Sequence, residues 1–296
     1  MIVAINTEQC TTCGVCSDIC PRHIPETITD GNGKVTRISP ERSALCMACG
    51  HCVAVCPNDA ISVEGLSAMD YEPARPVTIS DIDFFNLLKK RRSIRRYTDK
   101  PVPRKMISRI VEAVSTAPTG TGRSSVGVIV IDKAETLSRF SKGIYQLYEG
   151  LEKGLENPIG RLIIKRRVDA KLFRTMEDFL MPGMHWYIRW YREGRSNEIL
   201  RDCPAVMLFH GPIHEPATEE NCLIAAFHAV LMAEILGVGT CLNDMIPPAC
   251  SRDPLLRELL GLPADRAVYA SLTMGYSKYQ FKRVPPRGLA EFRYVE

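Results

Sequence analysis

An α+β protein in two unequal parts is predicted by three features of this 296-residue chain. Eight of the 12 cysteines lie between Cys10 and Cys56, in two copies of one spacing. The segment from Gly65 to Val77, GLSAMDYEPARPV, contains Gly65, Pro73 and Pro76 and follows no helical or strand period, so it reads as a connection. Beyond it, helical periods alternate with short β-branched runs over connections of uneven length. That pattern favours a layered sheet domain over a regular doubly wound one. The boundaries give a small domain at 1–65, a linker at 66–79 and a larger domain at 80–296.

The two cysteine runs are Cys10, Cys13, Cys16 and Cys20 followed by Pro21, and Cys46, Cys49, Cys52 and Cys56 followed by Pro57. Thiolate sulfur is a soft donor matched to iron–sulfur clusters, and the tight spacing lets three thiolates of one loop grip one cubane. Zinc sites take four ligands in two pairs rather than two runs of four, and disulfide frameworks belong to small secreted domains. Residues 1–65 resemble a bacterial two-cluster ferredoxin, whose ligand run is C-x-x-C-x-x-C-x-x-x-C-P. The resemblance implies two [4Fe–4S] clusters that pass single electrons. It also implies that the fourth cysteine of each run serves the other cluster: Cys10, Cys13, Cys16 and Cys56 on one, Cys46, Cys49, Cys52 and Cys20 on the other. A domain this small depends on its clusters for stability.

Composition narrows the remaining classes. A net charge of +4 does not call for nucleic acid, and the basic groups at Lys89–Arg96 and Lys165–Arg167 read first as solvated faces. Polar and charged residues begin at Asn6 and Glu8, so no secretory leader is expected. Thiolates held for iron require a reducing compartment, so the expected location is the cytoplasm. Cys203, Cys222, Cys241 and Cys250 are then free thiols, Cys222 and Cys241 in apolar surroundings that suit packing. The apolar stretch Cys222–Leu242 is interrupted by His228, Glu234, Gly237 and Gly239, so it reads as a buried helix and a turn rather than a membrane span.

In the larger domain Ser80 is placed as a helix N-cap with Asp83 in the capping-box position, and Phe84, Leu87 and Leu88 form the stripe of that helix. Pro103 opens a second helix with Ile107, Ile110, Val111 and Val114 on one face, and Pro118 stops it. Val126–Ile131 reads as a buried strand, Ala134–Leu137 as a helix start, Ala205–Phe209 as a strand and 219–236 as a long apolar helix. A short strand over Gly239–Asn243, a helix over Pro254–Leu260 and a core strand over Ala267–Met274 complete the domain before an arm with Pro285 and Pro286. Residues 140–200 carry basic helix formers and the aromatic group His185, Trp186, Tyr187, Trp190 and Tyr191, without a readable plan.

The run Arg91, Arg92, Ser93, Ile94, Arg95 follows the first helix of this domain. In an extended segment Arg91, Ser93 and Arg95 project to one side, where arginine forks and a hydroxyl suit phosphate oxygens. The plainer reading is a basic helix end that complements the macrodipole. Six pieces then agree in order and separation: RRSIRRYTDKPVP at 91–103, APTG at 117–120, GVGTC at 237–241, LLGLP at 259–263, LTMGY at 272–276 and KRVPPR at 282–287. On these residues the domain resembles the nitroreductase family, in the branch that carries an N-terminal ferredoxin. The resemblance implies an α/β/α layered domain with a central, mainly antiparallel sheet, and FMN held at the interface of a homodimer. It implies that Arg91, Ser93 and Arg95 bind the flavin phosphate and that Lys282 or Arg283 approaches it. Pro118 and Thr119 would lie beside the flavin ring, with the Gly239–Thr240 backbone close against it. The family's asparagine and glutamine after this turn are replaced here by Gly122 and Ser124. Backbone groups, Ser124 or Arg123 would have to hold the ring instead.

Clusters move one electron and a flavin one or two, so the two parts together form a route from single-electron carriers to a two-electron reduction. The expected function is an FMN-dependent oxidoreductase that reduces a small nitroaromatic, quinone or enone-like acceptor under anaerobic conditions. The donor would be an external ferredoxin or NAD(P)H, although no dinucleotide fingerprint follows a strand. The alternatives are a non-enzymatic relay to a protein partner and a redox sensor. No catalytic protein residue is nominated. His185, Trp186, Tyr187 and Trp190 are either a stacking lid over the flavin or packing for residues 140–200. His210 and His214 are either proton donors or structural, and His51 either tunes a cluster or simply faces solvent.

Overall fold

The computed structural model describes residues 3–31, 33–66, 68–120 and 125–295. The chain divides into two compact units. The first covers Met1–Thr78, with Pro118–Ser124 assigned to it, and the second covers Ile79–Ala117 and Ser125–Glu296.

The first unit is two halves of one pattern. Strand β1 (Val3–Ile5) precedes the first cysteine loop and helix α1 (Val15–Ile19), and a hairpin of β2 (Pro25–Asp30) and β3 (Gly33–Ile38) follows. The second cysteine loop leads into helix α2 (His51–Ala54) and then β4 (Ile61–Val63), which pairs antiparallel with β1 through Val3 and Val63. Residues 36 positions apart share a conformation. Gly14 (φ 83°) and Gly50 (φ 74°) start the two helices, while Thr12 and Ala48, and His23 and Asp59, all adopt φ of 50–54°. Glycine relieves the Cβ penalty at such angles, and at Gly50 a Cβ would also lie 2.1 Å from the Tyr71 hydroxyl. The apolar core is small: Val3, Ile24, Ala48, Val53, Ile61 and Val63, closed in by cysteine sulfurs.

The second unit is a three-layer α/β/α domain. Helices α3 (Asp81–Lys90) and α4 (Arg104–Val114) come first, then edge strand β5 (Gly127–Ile131). Four helices, α5 (Ala134–Glu156), α6 (Pro158–Arg167), α7 (Ala170–Thr175) and α8 (Met181–Arg192), occupy the stretch the sequence left unread, with a π turn at Met176–Leu180 before α8. Strand β6 (Ala205–Pro212), helix α9 (Thr218–Ile235) and strand β7 (Gly239–Leu242) follow, then α10 (Ile246–Arg252), α11 (Pro254–Leu259) and β8 (Arg266–Gly275). The sheet order is β5-β6-β8-β7, with every pairing antiparallel. The two-residue period of β6 builds both layers. Ala205, Met207 and Phe209 pack with α4 and α9, whereas Val206 and Leu208 pack with α5, α8 and α10.

Several expected elements take a different setting. β5 is at the sheet edge and mostly half-buried, because no strand among the described residues pairs with its other side. The Ser80 cap forms, its hydroxyl accepting from Asp83 N–H at 3.0 Å, yet α3 buries none of its residues and Phe84 is 43% exposed. α9 is buried along Cys222, Ala225, Ala226, Ala229 and Ala233, but leaves Leu223, Ile224, Phe227 and Ile235 exposed.

One buried carboxylate ties the segment after α3 to the loop before β6. Glu198 is buried, which disfavours its charge, but Arg96 donates two hydrogen bonds at 3.0 and 2.9 Å and Ser196 adds another. Hydrogen bonding wins, and the carboxyl is held below its usual range. A depressed carboxylate pKa stabilises the fold above the unfolded value of about 4.3, and that share is lost as pH falls through the folded value. Glu198→Gln is therefore expected to cost about 1–3 kcal/mol at neutral pH. In thermal melts its deficit against the parent should shrink below about pH 4; a deficit unchanged down to that pH would disprove the ionic contribution.

Candidate functional site

The cysteines converge on two separate cavities. Cys10, Cys13 and Cys16 line one with Cys56, while Cys46, Cys49 and Cys52 line the other with Cys20. Each run therefore gives three thiols to its own cavity and its fourth to the opposite one. The electrostatic neighbours repeat the grouping. Burial first, and then Cys10, Cys13 and Cys56, raise the Cys16 thiol. Burial first, and then Cys20, Cys49 and Cys46, push Cys52 up to about 11. Thiolates crowded this way repel, and the cationic iron of a cluster removes that repulsion. Backbone donors point inward as well: Ala60 N–H to Cys56 Sγ at 3.2 Å, Ile24 N–H to Cys20 Sγ at 3.4 Å and Ala48 N–H to Cys46 Sγ at 3.4 Å. Among the described residues no three His, Cys, Asp or Glu side chains draw together around one point as a single ion demands. Four thiols around an open cavity suit a cubane better than zinc, whose sulfurs sit at about 2.3 Å from one ion.

The second site lies where the extended run after α3 joins the sheet. Ile94 N–H donates to Thr240 O at 2.8 Å, and Ser93 bridges Thr240 in parallel. Gly239 permits this approach, because a Cβ there would sit 2.6 Å from Ile94 Cγ1. Ile94 is thereby buried, and Arg91 and Ser93 are half-buried on the alternate positions. Arg91 has both signs of charge nearby: burial, then Arg287 and Arg92, lower its pKa, and Glu234 works the other way. Such a group of arginines gains from a multiply charged anion. Arg92, buried, donates to Lys89 O at the end of α3 and fixes the turn. A cavity of about 480 Å³ opens beside the turn, lined by Lys90, Arg92, Gly239, Phe281 and Arg283 and by the carboxylate of Glu234.

Of the residues expected at this site, Arg91, Ser93, Gly239 and Thr240 come together, and Arg283 reaches the adjoining cavity. Arg95 and Lys282 are exposed and Lys282 does not line that cavity. Pro118 and Thr119 are assigned to the first unit, and Gly122, Arg123 and Ser124 lie outside the described residues. Arg287 was not nominated from sequence. It closes the same KRVPPR piece, and its spacing from Arg283 gives no period that would single it out.

The model of the nitroreductase family matches residues 88–276, and that of a 4Fe-4S dicluster domain matches residues 2–57. The chain belongs to the nitroreductase family. Among its relatives, iodotyrosine deiodinase 1 of Rattus norvegicus is 24% identical over 213 residues, which are 69% of this chain and 65% of the relative. The chain thus spans less than two thirds of that relative's length. An NADH dehydrogenase of Thermus thermophilus is 24% identical over 67% of this chain and 89% of its own. A nitroreductase with bound FMN from Bacteroides fragilis shares the fold with a TM-score of 0.55 at 18% identity, covering 74% of this chain and all of that one.

Within this nitroreductase domain, α8 buries Met184 and Ile188, packs Tyr187 and Tyr191 against the core and leaves His185 and Trp186 exposed. Trp186 is 48% exposed with Trp190 at 6.1 Å, Tyr191 stacks on Tyr145 at 3.8 Å, and His185 is bonded to Glu152 at 2.8 Å. His210 is a bonded structural group. Arg266 donates to its Nδ1 at 2.8 Å, and burial followed by the Arg266 charge lowers its pKa. Among the described residues, no helix is long and apolar enough to cross a membrane.

Proposed function

We propose that this chain is an FMN-dependent oxidoreductase whose cysteine unit carries two [4Fe–4S] clusters and feeds electrons to the flavin for reduction of a small organic acceptor. The observation that carries the reading is the pair of four-thiol cavities in the same chain as an arginine-rich turn. Cys10, Cys13, Cys16 and Cys56 hold one cluster, and Cys20, Cys46, Cys49 and Cys52 hold the other. Arg91, Ser93 and Arg95 bind the FMN phosphate with Arg283, and Lys282 adds charge from the arm. Pro118 and Thr119 flank the ring, while Gly239 and Thr240 bring backbone against it. FMN, when bound, supplies one- and two-electron chemistry. The protein's own share is to hold the phosphate, orient the ring and admit the acceptor.

The functional form is a homodimer, because α3 and α9 leave Phe84, Phe85, Leu223, Ile224 and Phe227 exposed, an apolar surface that a second copy covers. A reduced ferredoxin or NAD(P)H is the external donor, and the setting is an anaerobic cytoplasm. The decisive experiment is anaerobic purification with iron, sulfide and flavin analysis, followed by stopped-flow mixing of the reduced protein with nitroaromatics, quinones, enones and an iodotyrosine. Reoxidation by at least one class is expected. Failure with all of them would leave a relay to a protein partner.

A further inference from the structure

We propose that Arg22 makes the two cysteine cavities unequal electron sites, so that the first electron held by this unit resides at the Cys20, Cys46, Cys49 and Cys52 site. This rests on the reading that each cavity holds a [4Fe–4S] cluster. The 36-residue repeat provides an internal control. Backbone conformation matches between the copies at Thr12 and Ala48, Gly14 and Gly50, and His23 and Asp59. The sulfur-directed bonds of Ile24 to Cys20 and Ala60 to Cys56 match too. With the backbone alike at these positions, the lining side chains differ. Arg22, Met47 and His51 border the second cavity, and the residues 36 positions away, Asn58, Thr11 and Val15, border the first.

Arginine keeps its charge at any working pH. Nη2 of Arg22 lies 3.9 Å from Met47 Sδ at the cavity, and Arg22 has no carboxylate partner among the described residues. Among the described residues, no charged side chain borders the first cavity. Reduction adds one negative charge to a cluster, so a neighbouring fixed cation favours the reduced form and raises the potential. The extra bond from Ala48 N–H to Cys46 Sγ acts in the same direction, and Thr12 makes no matching bond to Cys10 among the described residues. Exposure of Cys13 works the other way, because water also stabilises the reduced charge. Arg22 is exposed too, so water screens part of its charge, but a whole charge at the cavity wall outweighs the difference between an exposed and a half-buried cysteine. The exchange is one electron: the first site is oxidised, the second reduced, and no proton or bond moves.

The test is a potentiometric titration of the anaerobically purified full chain, followed by electron paramagnetic resonance, with iron and sulfide counted first. Fewer than about eight irons per chain would defeat the two-cluster reading itself, separately from this inference. With both clusters present, Arg22→Asn should lower the higher of two one-electron waves and leave the lower one in place. The constant for sharing an electron between the sites should shift about three- to tenfold, tenfold being about 59 mV. Arg22→Lys should keep the parental waves, and Asn58→Arg should raise the lower wave alone. Unmoved waves in Arg22→Asn, a shift confined to the lower wave, or an equal loss in Arg22→Lys would each overturn the proposal.

Discussion

Cys56→Ala is expected to remove the cluster of the first cysteine run and to spare that of the run in which Cys56 stands. The reason is geometric: Cys56 shares its cavity with Cys10, Cys13 and Cys16, and Cys20 takes the reciprocal place with Cys46, Cys49 and Cys52. Iron should fall from about eight to about four atoms per chain. The double variants make the result unambiguous. Cys13→Ala with Cys56→Ala damages one site twice and should retain about four irons, while Cys49→Ala with Cys56→Ala damages both sites and should retain almost none. The opposite ranking would mean that each run closes on its own cluster. In either single-site variant, transfer from a one-electron donor to the flavin should slow by orders of magnitude, read by stopped-flow bleaching of the flavin.

Arg91→Glu is the second large effect. Arg91 is half-buried near Arg92 and Arg287; burial first, and then these two charges, lower its pKa against the opposing pull of Glu234, so an anion in the turn relieves repulsion as well as accepting hydrogen bonds. A charge-assisted bond to phosphate contributes about 1.5–3 kcal/mol, and reversing the charge adds repulsion to that loss. FMN affinity should fall by at least about 100-fold, or about 2.7 kcal/mol, measured by recovery of flavin fluorescence on dissociation. Riboflavin, which has no phosphate, is the control. Its weaker binding should change little, so the preference for FMN disappears. Equal losses for both ligands would place Arg91 in general folding rather than phosphate recognition.

What the sequence disclosed depended on how local the determining interaction was. The cysteine runs were legible because cluster ligation demands fixed spacing, and Ser80 was legible because a capping box closes within four residues. The layered antiparallel sheet followed from the nitroreductase resemblance, while the strand over Ala205–Phe209, buried throughout, was readable in its continuous apolar run. β5 was misjudged as buried because a β-branched run states side-chain character, whereas an edge position is decided by strands far away in sequence. Residues 140–200 resisted reading because α5 and α8 mix buried positions such as Tyr145 and Met184 with ion pairs such as Arg192–Glu149, which blurs the helical period. Arg91, Arg92 and Arg287 show the same limit at the candidate site. The first two are adjacent in the chain, but their meeting with Arg287 is tertiary and leaves no local signature.

A core cluster of six buried apolar side chains among the described residues is too small to keep the front of the chain folded without its inorganic core. Oxygen that strips the iron therefore does more than break an electrical path. It is expected to melt Val3–Val63 into a protease-sensitive tail, while the sheet domain, with its two large apolar layers, should survive. Air exposure becomes legible on a gel, as cleavage ahead of Ser80, before any assay of electron flow is run.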